Sequence, residues 1–217
     1  MSSLLNGPCY RSGSAVESLV VMLHGRGASG DNIIAAAPGM AKLGLVNVQF
    51  VAPHAPLRYC PTSFTWFTES LREMQEETAF KEIMRSVEMV NQFIDAQLDA
   101  LGLGNDKLAL VGFSQGAMLS MYVGLSRAEK CAAVVAYSGA VPFPHLLESQ
   151  INSKPSVCVV HGECDSVIPF SYFGECVDFL RKNQVPVTAS GLKLLGHSIN
   201  ETGLKIGSEF IKDRITK

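Results

Sequence analysis

Ser114 sits in Gly112-Phe113-Ser114-Gln115-Gly116, where the apolar run Leu108-Ala109-Leu110-Val111 gives way to apolar residues at helical spacing: Ala117, Met118, Met121, Tyr122 and Leu125. The run reads as a buried parallel strand and its sequel as a helix. A serine on the sharp turn between them, flanked by glycines that let strand and helix approach closely, is placed to act as a nucleophile. Gly-x-Ser-x-Gly alone is a weak signal, and the strand-to-helix context is what raises it. An alcohol is a poor nucleophile until a base takes its proton. Ser114 therefore requires a histidine, and that histidine a group that fixes its tautomer.

Five histidines are available. His54 and His145 lie in irregular segments, whereas His24, His161 and His197 directly follow apolar, strand-like runs. Functional residues of doubly wound sheets gather at the carboxyl ends of strands. His197, in LKLLGHSIN, follows the last strand and lies downstream of Ser114, which makes it the candidate base. The acid belongs between them, by the Ser, Asp/Glu, His order that accompanies this elbow. SVCVVHGECDSVIPF offers Asp165, with Glu163 its nearest rival. Asp165 is favoured because His161-Gly162 first turns the chain out of its strand and Val167-Ile168-Pro169 then anchors it. Negative charge building on a former carbonyl oxygen needs preorganised donors. One is the backbone N–H of Gln115, at a helix N-terminus. The second is expected from Leu23-His24-Gly25-Arg26-Gly27, whose glycines permit a tight backbone that aims the N–H of Leu23 inward while His24 holds the loop's shape. As a phosphate-binding loop, the same stretch lacks a Lys-Ser/Thr pair and a third correctly spaced glycine.

The elements that must position these groups are apolar runs at residues 18–23, 48–51, 108–113, 132–137, 156–160 and about 188–195. Helical patterns fall between and after them. The clearest covers residues 78–101, with Phe80, Ile83, Met84, Val87, Val90, Ile94, Leu98 and Leu101 on one face and Gly102 as the stop. Others cover 115–125, 173–181 and 201–214. This alternation predicts a mostly parallel sheet with helices on both faces. Residues 53–77 have no clean period, carry the only Trp, Trp66, beside Phe64 and Phe67, and are expected to pack over a site rather than serve stability alone.

With 217 residues, 47% hydrophobic, and no linker-like stretch, the chain is read as a single domain over residues 1–217. Net charge is −2 and the 18 Lys and Arg are scattered, which argues against nucleic acid or an anionic membrane as partner. The N-terminal residues lack a leader pattern and no run approaches a membrane span, so no stable membrane insertion is expected. Six cysteines, several inside apolar runs and none in Cys-x-x-Cys, read as reduced thiols of a cytoplasmic protein without a zinc site.

LHGRGASGDN, GFSQGAMLSMYVGL, YSGAVP, HGECDSVIPF and GHSIN together resemble, in order and separation, the phospholipase/carboxylesterase branch of the α/β-hydrolases that includes the acyl-protein thioesterases. The likeness extends over residues 18–214. It implies an α/β-hydrolase fold, a triad of Ser114, Asp165 and His197, an oxyanion hole at Leu23 and Gln115, and no metal or cofactor. It also implies an acyl groove bordered by Trp66, with Phe67 and Arg26 beside it. Arg26 departs from the many relatives that carry an apolar residue between the two glycines. It reads as a solvated side chain, or, facing the groove, as one that favours an anionic substrate group. Only residues 138–156 separate Tyr137 from the strand at Val157, which leaves no place for a cap domain. The groove is then open, covered in part by residues 53–77 and by the turn at 141–147.

The expected function is hydrolysis of carboxylic esters with short to medium acyl chains through an acyl-enzyme. The resemblance adds acyl thioesters and lysophospholipids as candidates. A catalytically silent fold used as a binding module is the alternative from another class. A different elbow-type hydrolase, dienelactone hydrolase-like or a peptidase, is the third, and Ser rather than Cys at 114 speaks against the first of these. The partner is a small ester or acylated molecule, and the aromatic loop offers a surface for a homodimer.

Overall fold

The computed structural model describes residues 5–67 and 75–215. Its strands are β1 (Cys9–Ser12), β2 (Ser18–Leu23), β3 (Val48–Val51), β4 (Leu57–Cys60), β5 (Ser63–Thr65), β6 (Leu108–Phe113), β7 (Ala133–Tyr137), β8 (Ser156–Gly162) and β9 (Val187–Leu192). The helices are α1 (Gly30–Ile34), α2 (Ala37–Lys42), α3 (Glu76–Leu101), α4 (Gln115–Ser126), α5 (Pro144–Glu148), α6 (Ser171–Lys182) and α7 (Glu201–Ile215). Seven strands form one sheet in the order β1-β3-β2-β6-β7-β8-β9. All its pairings are parallel except that of β1 with β3.

The apolar runs are continuous because both faces of the sheet are covered. Leu19, Val21 and Leu23 of β2 share a core with Leu108 and Leu110 of β6, Val157 and Val159 of β8, and the buried sides of α3, α4 and α6. The intervening residues, Val20, Met22, Ala109, Val111, Cys158 and Val160, face the other way, toward α1, α2 and α7. Amphipathic α3 buries Ile83, Val87, Val90, Ile94 and Leu98 along one stripe and ends at Gly102, whose φ of 64° is the left-handed conformation of a helix stop. Its first turn carries Glu76 and Glu77, the sign favoured at a helix N-terminus. By contrast α4 is buried from Gln115 through Leu125, because it lies directly over β6 and β7 beneath α3.

Two elements escape the sequence pattern. β1 is an antiparallel edge strand with only Ser12 fully buried, held by register with β3 and by the Tyr10 ring against Phe50. Residues 53–77, expected to be irregular, contain the β4-β5 hairpin, whose strands are too short to show a period. The hairpin is fastened to the loop after β2: the Phe64 N–H donates to the Ala28 carbonyl at 2.7 Å and the Gly27 N–H to the Phe64 carbonyl at 2.9 Å. Residues 68–74 of that stretch lie outside the described residues.

At the end of β6 the chain turns straight into α4. A β-carbon on Gly112 would stand 2.1 Å from the Gly116 carbonyl oxygen, and one on Gly116 would stand 2.0 Å from that of Leu23. Both clashes are with backbone, which has nowhere to move. Gly112→Ala is therefore expected to destabilise the fold by about 3 kcal/mol or more. Gly174→Ala, inside α6 with nothing within 4 Å of the new methyl, should instead stabilise by about 0.5–1 kcal/mol. Urea unfolding midpoints of the two variants check both signs.

Candidate active site

Ser114 occupies the junction of β6 and α4 with φ 54° and ψ −118°, a backbone conformation that costs about 1–3 kcal/mol for a residue with a side chain. It is pinned from both directions. Its N–H donates to the Tyr137 carbonyl at 2.9 Å, and its own carbonyl accepts from Ala117 at 2.9 Å and Met118 at 3.1 Å. Neighbouring strand and helix thus hold the hydroxyl-bearing carbon where the chain reverses, with no room to relax.

Asp165 and His197 meet although 32 residues apart, the His197 Nδ1–H donating to Asp165 Oδ2 at 2.8 Å. That bond leaves Nε2 with its lone pair, the form needed to accept a proton. Asp165 Oδ1 accepts the N–H groups of Val167 at 2.9 Å and Ile168 at 2.8 Å. Burial alone would raise this carboxyl's pKa. The His197 hydrogen bond and the Ile168 and Val167 amides outweigh burial and hold it below the ordinary carboxylate value. Glu163, the rival acid, is exposed. The His197 ring lies 4.8 Å from that of Phe113 and, with Ser114, borders one cavity.

A histidine outside the expected set also touches the acid. His161, wholly buried at the end of β8, donates its Nε2–H to the Ile168 carbonyl at 2.9 Å, and the same nitrogen stands 3.4 Å from Asp165 Oδ2. Among the described residues its Nδ1 has no hydrogen-bond partner. The ring therefore braces the turn that carries Asp165. The signal for it in the sequence was the i, i+4 spacing of His161 and Asp165 across the strand end.

Leu23 is displaced from its expected role. β2 runs through Leu23, in register with Gly112, and the side chain is fully buried, so the residue belongs to the ladder rather than to the turn. The turn comes two residues later. A β-carbon on Gly25 would lie 3.3 Å from the Ser114 β-carbon, and Arg26, the next residue, borders the cavity. Among the described residues the Gly27 and Ala28 amides donate to Phe64 and Gly25, whereas the Arg26 amide has no acceptor. Gln115 is the first residue of α4, so its amide has no intrahelical acceptor either.

Trp66 does not border the cavity. It is 1% exposed, and its indole N–H donates to the His24 carbonyl at 2.9 Å. Its amide donates to Gln115 Oε1 at 2.9 Å, which also accepts from Thr65 Oγ1 at 3.0 Å, while Gln115 Nε2 donates to the Phe67 carbonyl at 3.2 Å. The aromatic loop is thus a clamp that ties the side chain of Gln115, the first residue of α4, to the loop after β2, and of the expected pair it is Phe67 that reaches the cavity. The cavity, about 650 Å³, is also bordered by Tyr59, Met118, Ala140, Val141, Pro142, Phe143, Val167, Ile168 and Tyr172. A hollow of about 140 Å³ near Ser18 and Lys107 lies instead at the amino ends of β2 and β6 and holds none of these groups. Among the described residues no cluster of metal ligands occurs, no cysteine is paired, and no helix is long and apolar enough to cross a membrane.

A family model described as phospholipase/carboxylesterase matches residues 10–215. The chain is 24% identical over 206 residues to acyl-protein thioesterase 1 homolog 1 of Dictyostelium discoideum, covering 91% of each. It is 29% identical over 204 residues to acyl-protein thioesterase 1 of Cryptococcus neoformans, covering 87% of this chain and 82% of the relative. Among solved structures it is similar to esterase PE8, with a TM-score of 0.89 and 31% identity over 97% of this chain and 99% of that one. Acyl-protein thioesterase 2 of Zea mays shares the fold, with a TM-score of 0.77 and 19% identity over 97% and 99% of the two chains.

His24, 1% exposed, supports the loop as a neutral ring: Nδ1–H donates to the Gly25 carbonyl at 2.8 Å and Nε2 accepts the Ala55 N–H at 3.0 Å. Burial lowers its pKa from 6.5 to about 4. Below pH 6.5 the unfolded chain therefore takes up a proton that the folded chain refuses until about pH 4. This contribution is complete above pH 6.5 and is lost as the pH falls to about 4, by up to about 3 kcal/mol. Urea unfolding from pH 7 to 4 should show that decline, and a shallower one in His24→Gln.

Proposed function

Because the chain belongs to the phospholipase/carboxylesterase family of α/β-hydrolases and is an esterase-type hydrolase, we propose that it cleaves carboxylic esters with Ser114 as nucleophile, His197 as base and Asp165 as the acid that orients it. The observation carrying this reading is the His197 Nδ1 to Asp165 Oδ2 hydrogen bond of 2.8 Å beside a cavity that Ser114 and His197 share.

Ser114 Oγ attacks the ester carbonyl as its proton passes to His197 Nε2, and the imidazolium is stabilised by ionised Asp165. The carbonyl oxygen, now negative, accepts from the amides of Gln115 and Arg26, the second taking the place first expected of Leu23. Collapse breaks the bond to the leaving oxygen, which takes the proton from Nε2. Water then yields a proton to the same nitrogen and attacks the acyl-enzyme, and collapse breaks the acyl–Oγ bond as Ser114 Oγ takes the proton back from Nε2 and the acid leaves. No step draws on a metal or cofactor. The apolar wall of Met118, Val141, Pro142, Phe143 and Ile168 suits short to medium acyl chains. Acyl thioesters and lysophospholipids are further substrates, supported by the names of the relatives and the description of the family.

Hydrolysis of p-nitrophenyl esters from acetyl to dodecanoyl should rise to a maximum at an intermediate chain length and vanish in Ser114→Ala. A folded wild type inert on every ester would sink the reading. Asp165→Asn should fold and lose at least about a hundredfold in kcat, because the wrong histidine tautomer is stabilised, whereas Glu163→Gln should keep wild-type rates. The reverse outcome would transfer the acid's role to Glu163.

A further inference from the structure

The cavity beside Ser114 has two unlike arms, and the strand order sets them apart. β2 lies on one side of β6, and β7 and β8 on the other. Val141, Pro142 and Phe143 follow β7 and Ile168 follows β8, so the wall on that side is apolar. Arg26 follows β2, and beside it stands Tyr59 of the β4-β5 hairpin. Arg26 carries the only fixed charge among the described residues bordering the cavity, and no carboxylate borders it. It also has no ion-pair partner among the described residues. The contrast is Arg127, engaged by Asp95 at 2.7 Å, Asn91 at 2.9 Å and Asn105 at 2.7 Å.

The Arg26 side chain is nevertheless not adrift. Its guanidinium stands over the Tyr59 ring, 5.2 Å from the centroid, and Gly27, with φ 72°, lets the chain turn closely against that ring. A contact of this kind with the ring face leaves the guanidinium N–H groups for forked hydrogen bonds to carboxylate or phosphate oxygens. The backbone of Gly25, the residue before it, passes Ser114, a β-carbon there standing 3.3 Å from that of Ser114, and Arg26 and Ser114 border the same cavity.

We infer that the Arg26-Tyr59 arm is an anion subsite, and that the preferred substrates are apolar acyl esters or thioesters whose leaving group carries a carboxylate or phosphate. This rests on the reading of Ser114 as nucleophile. The acyl chain takes the apolar arm, which puts the leaving group on the β2 side against the cation. Arg26 is then a specificity determinant. It adds attraction for one class of leaving group while the chemistry at Ser114 stays that of any ester.

The hexanoyl esters of 4-hydroxyphenylacetate and of its neutral amide differ in that one charge. At low salt the wild type should favour the carboxylate in kcat/KM by about two- to fivefold, the range of a partly exposed ion pair, and the preference should shrink at high salt. Arg26→Gln should bring the ratio to about one and Arg26→Lys should keep part of it. A wild-type ratio of one, or a ratio unmoved in Arg26→Gln, overturns the subsite. The hexanoyl ester of 4-hydroxybenzylphosphonate separates the two anion sources, a stronger preference for it marking phosphate and a weaker one carboxylate. A monoester of adipic acid puts the charge at the far end of the acyl chain, and a preference there instead overturns the assignment of the arms. Calorimetric binding of 4-(hexanoylamino)phenylacetate and its amide to Ser114→Ala, with and without Arg26→Gln, asks the question without turnover. A charge preference that depends on Arg26 supports the subsite even where no ester is cleaved, in which case the assignment of Ser114 falls alone. Equal binding of the two overturns the subsite.

Discussion

Between β6 and the first turn of α4 there is no room for a β-carbon, and the rest of the site is arranged around that contact. Gly112 faces the Gly116 carbonyl, and Gly116 faces the carbonyls of Leu23 and His24, so three backbones meet within van der Waals limits. One consequence is the left-handed backbone at Ser114, because a chain that must leave a strand and enter a helix without sideways room can only reverse sharply. Another is that the loop after β2 is packed against the helix start, which brings Arg26 to the same cavity as Gln115. Strain at the serine is sustained by the core that buries β6 and α4 on every side.

A second tier of polar contacts keeps that arrangement in place. Gln115 is buried, yet its side-chain oxygen and nitrogen are both satisfied by Thr65, Trp66 and Phe67. The same three-residue segment grips the His24 carbonyl through the indole and is itself held by Ser86 Oγ, which donates to the Trp66 carbonyl at 2.6 Å. Each buried group in the chain of contacts has a partner, the condition under which a buried polar network adds rigidity rather than cost. Near Asp165 His161 plays a comparable part for the turn, though among the described residues one of its ring nitrogens has no partner.

Much of this was legible in the residues. Parallel strands covered on both faces write themselves as unbroken apolar runs, and the bounds of β2, β3 and β6 follow those runs to the residue. The meeting of Asp165 and His197 was legible because both follow strands at the same edge of the sheet. The misses have a common cause, which is that short elements held by a partner carry no period of their own. β1 depends on β3 for its register, and the hairpin depends on the loop after β2. The donor expected at Leu23 is proposed three residues later, at Arg26, because an apolar run does not reveal where the ladder stops and the turn begins. Trp66 departs from its expected place for a different reason: an aromatic side chain in a loop near a site suggests a wall, whereas its burial and the indole's bond to the His24 carbonyl make it a fastener.

The connection between β7 and β8 has a kinetic meaning as well as a topological one. Residues 138–155 hold only the five-residue helix α5, whose Leu147 is anchored in the core, so this stretch borders the cavity as a fixed rim. A roof built at this crossover would have to swing aside for entry and release, and such motions commonly set the pace of turnover. With a rim in its place, this crossover brings no roof whose swing could pace turnover.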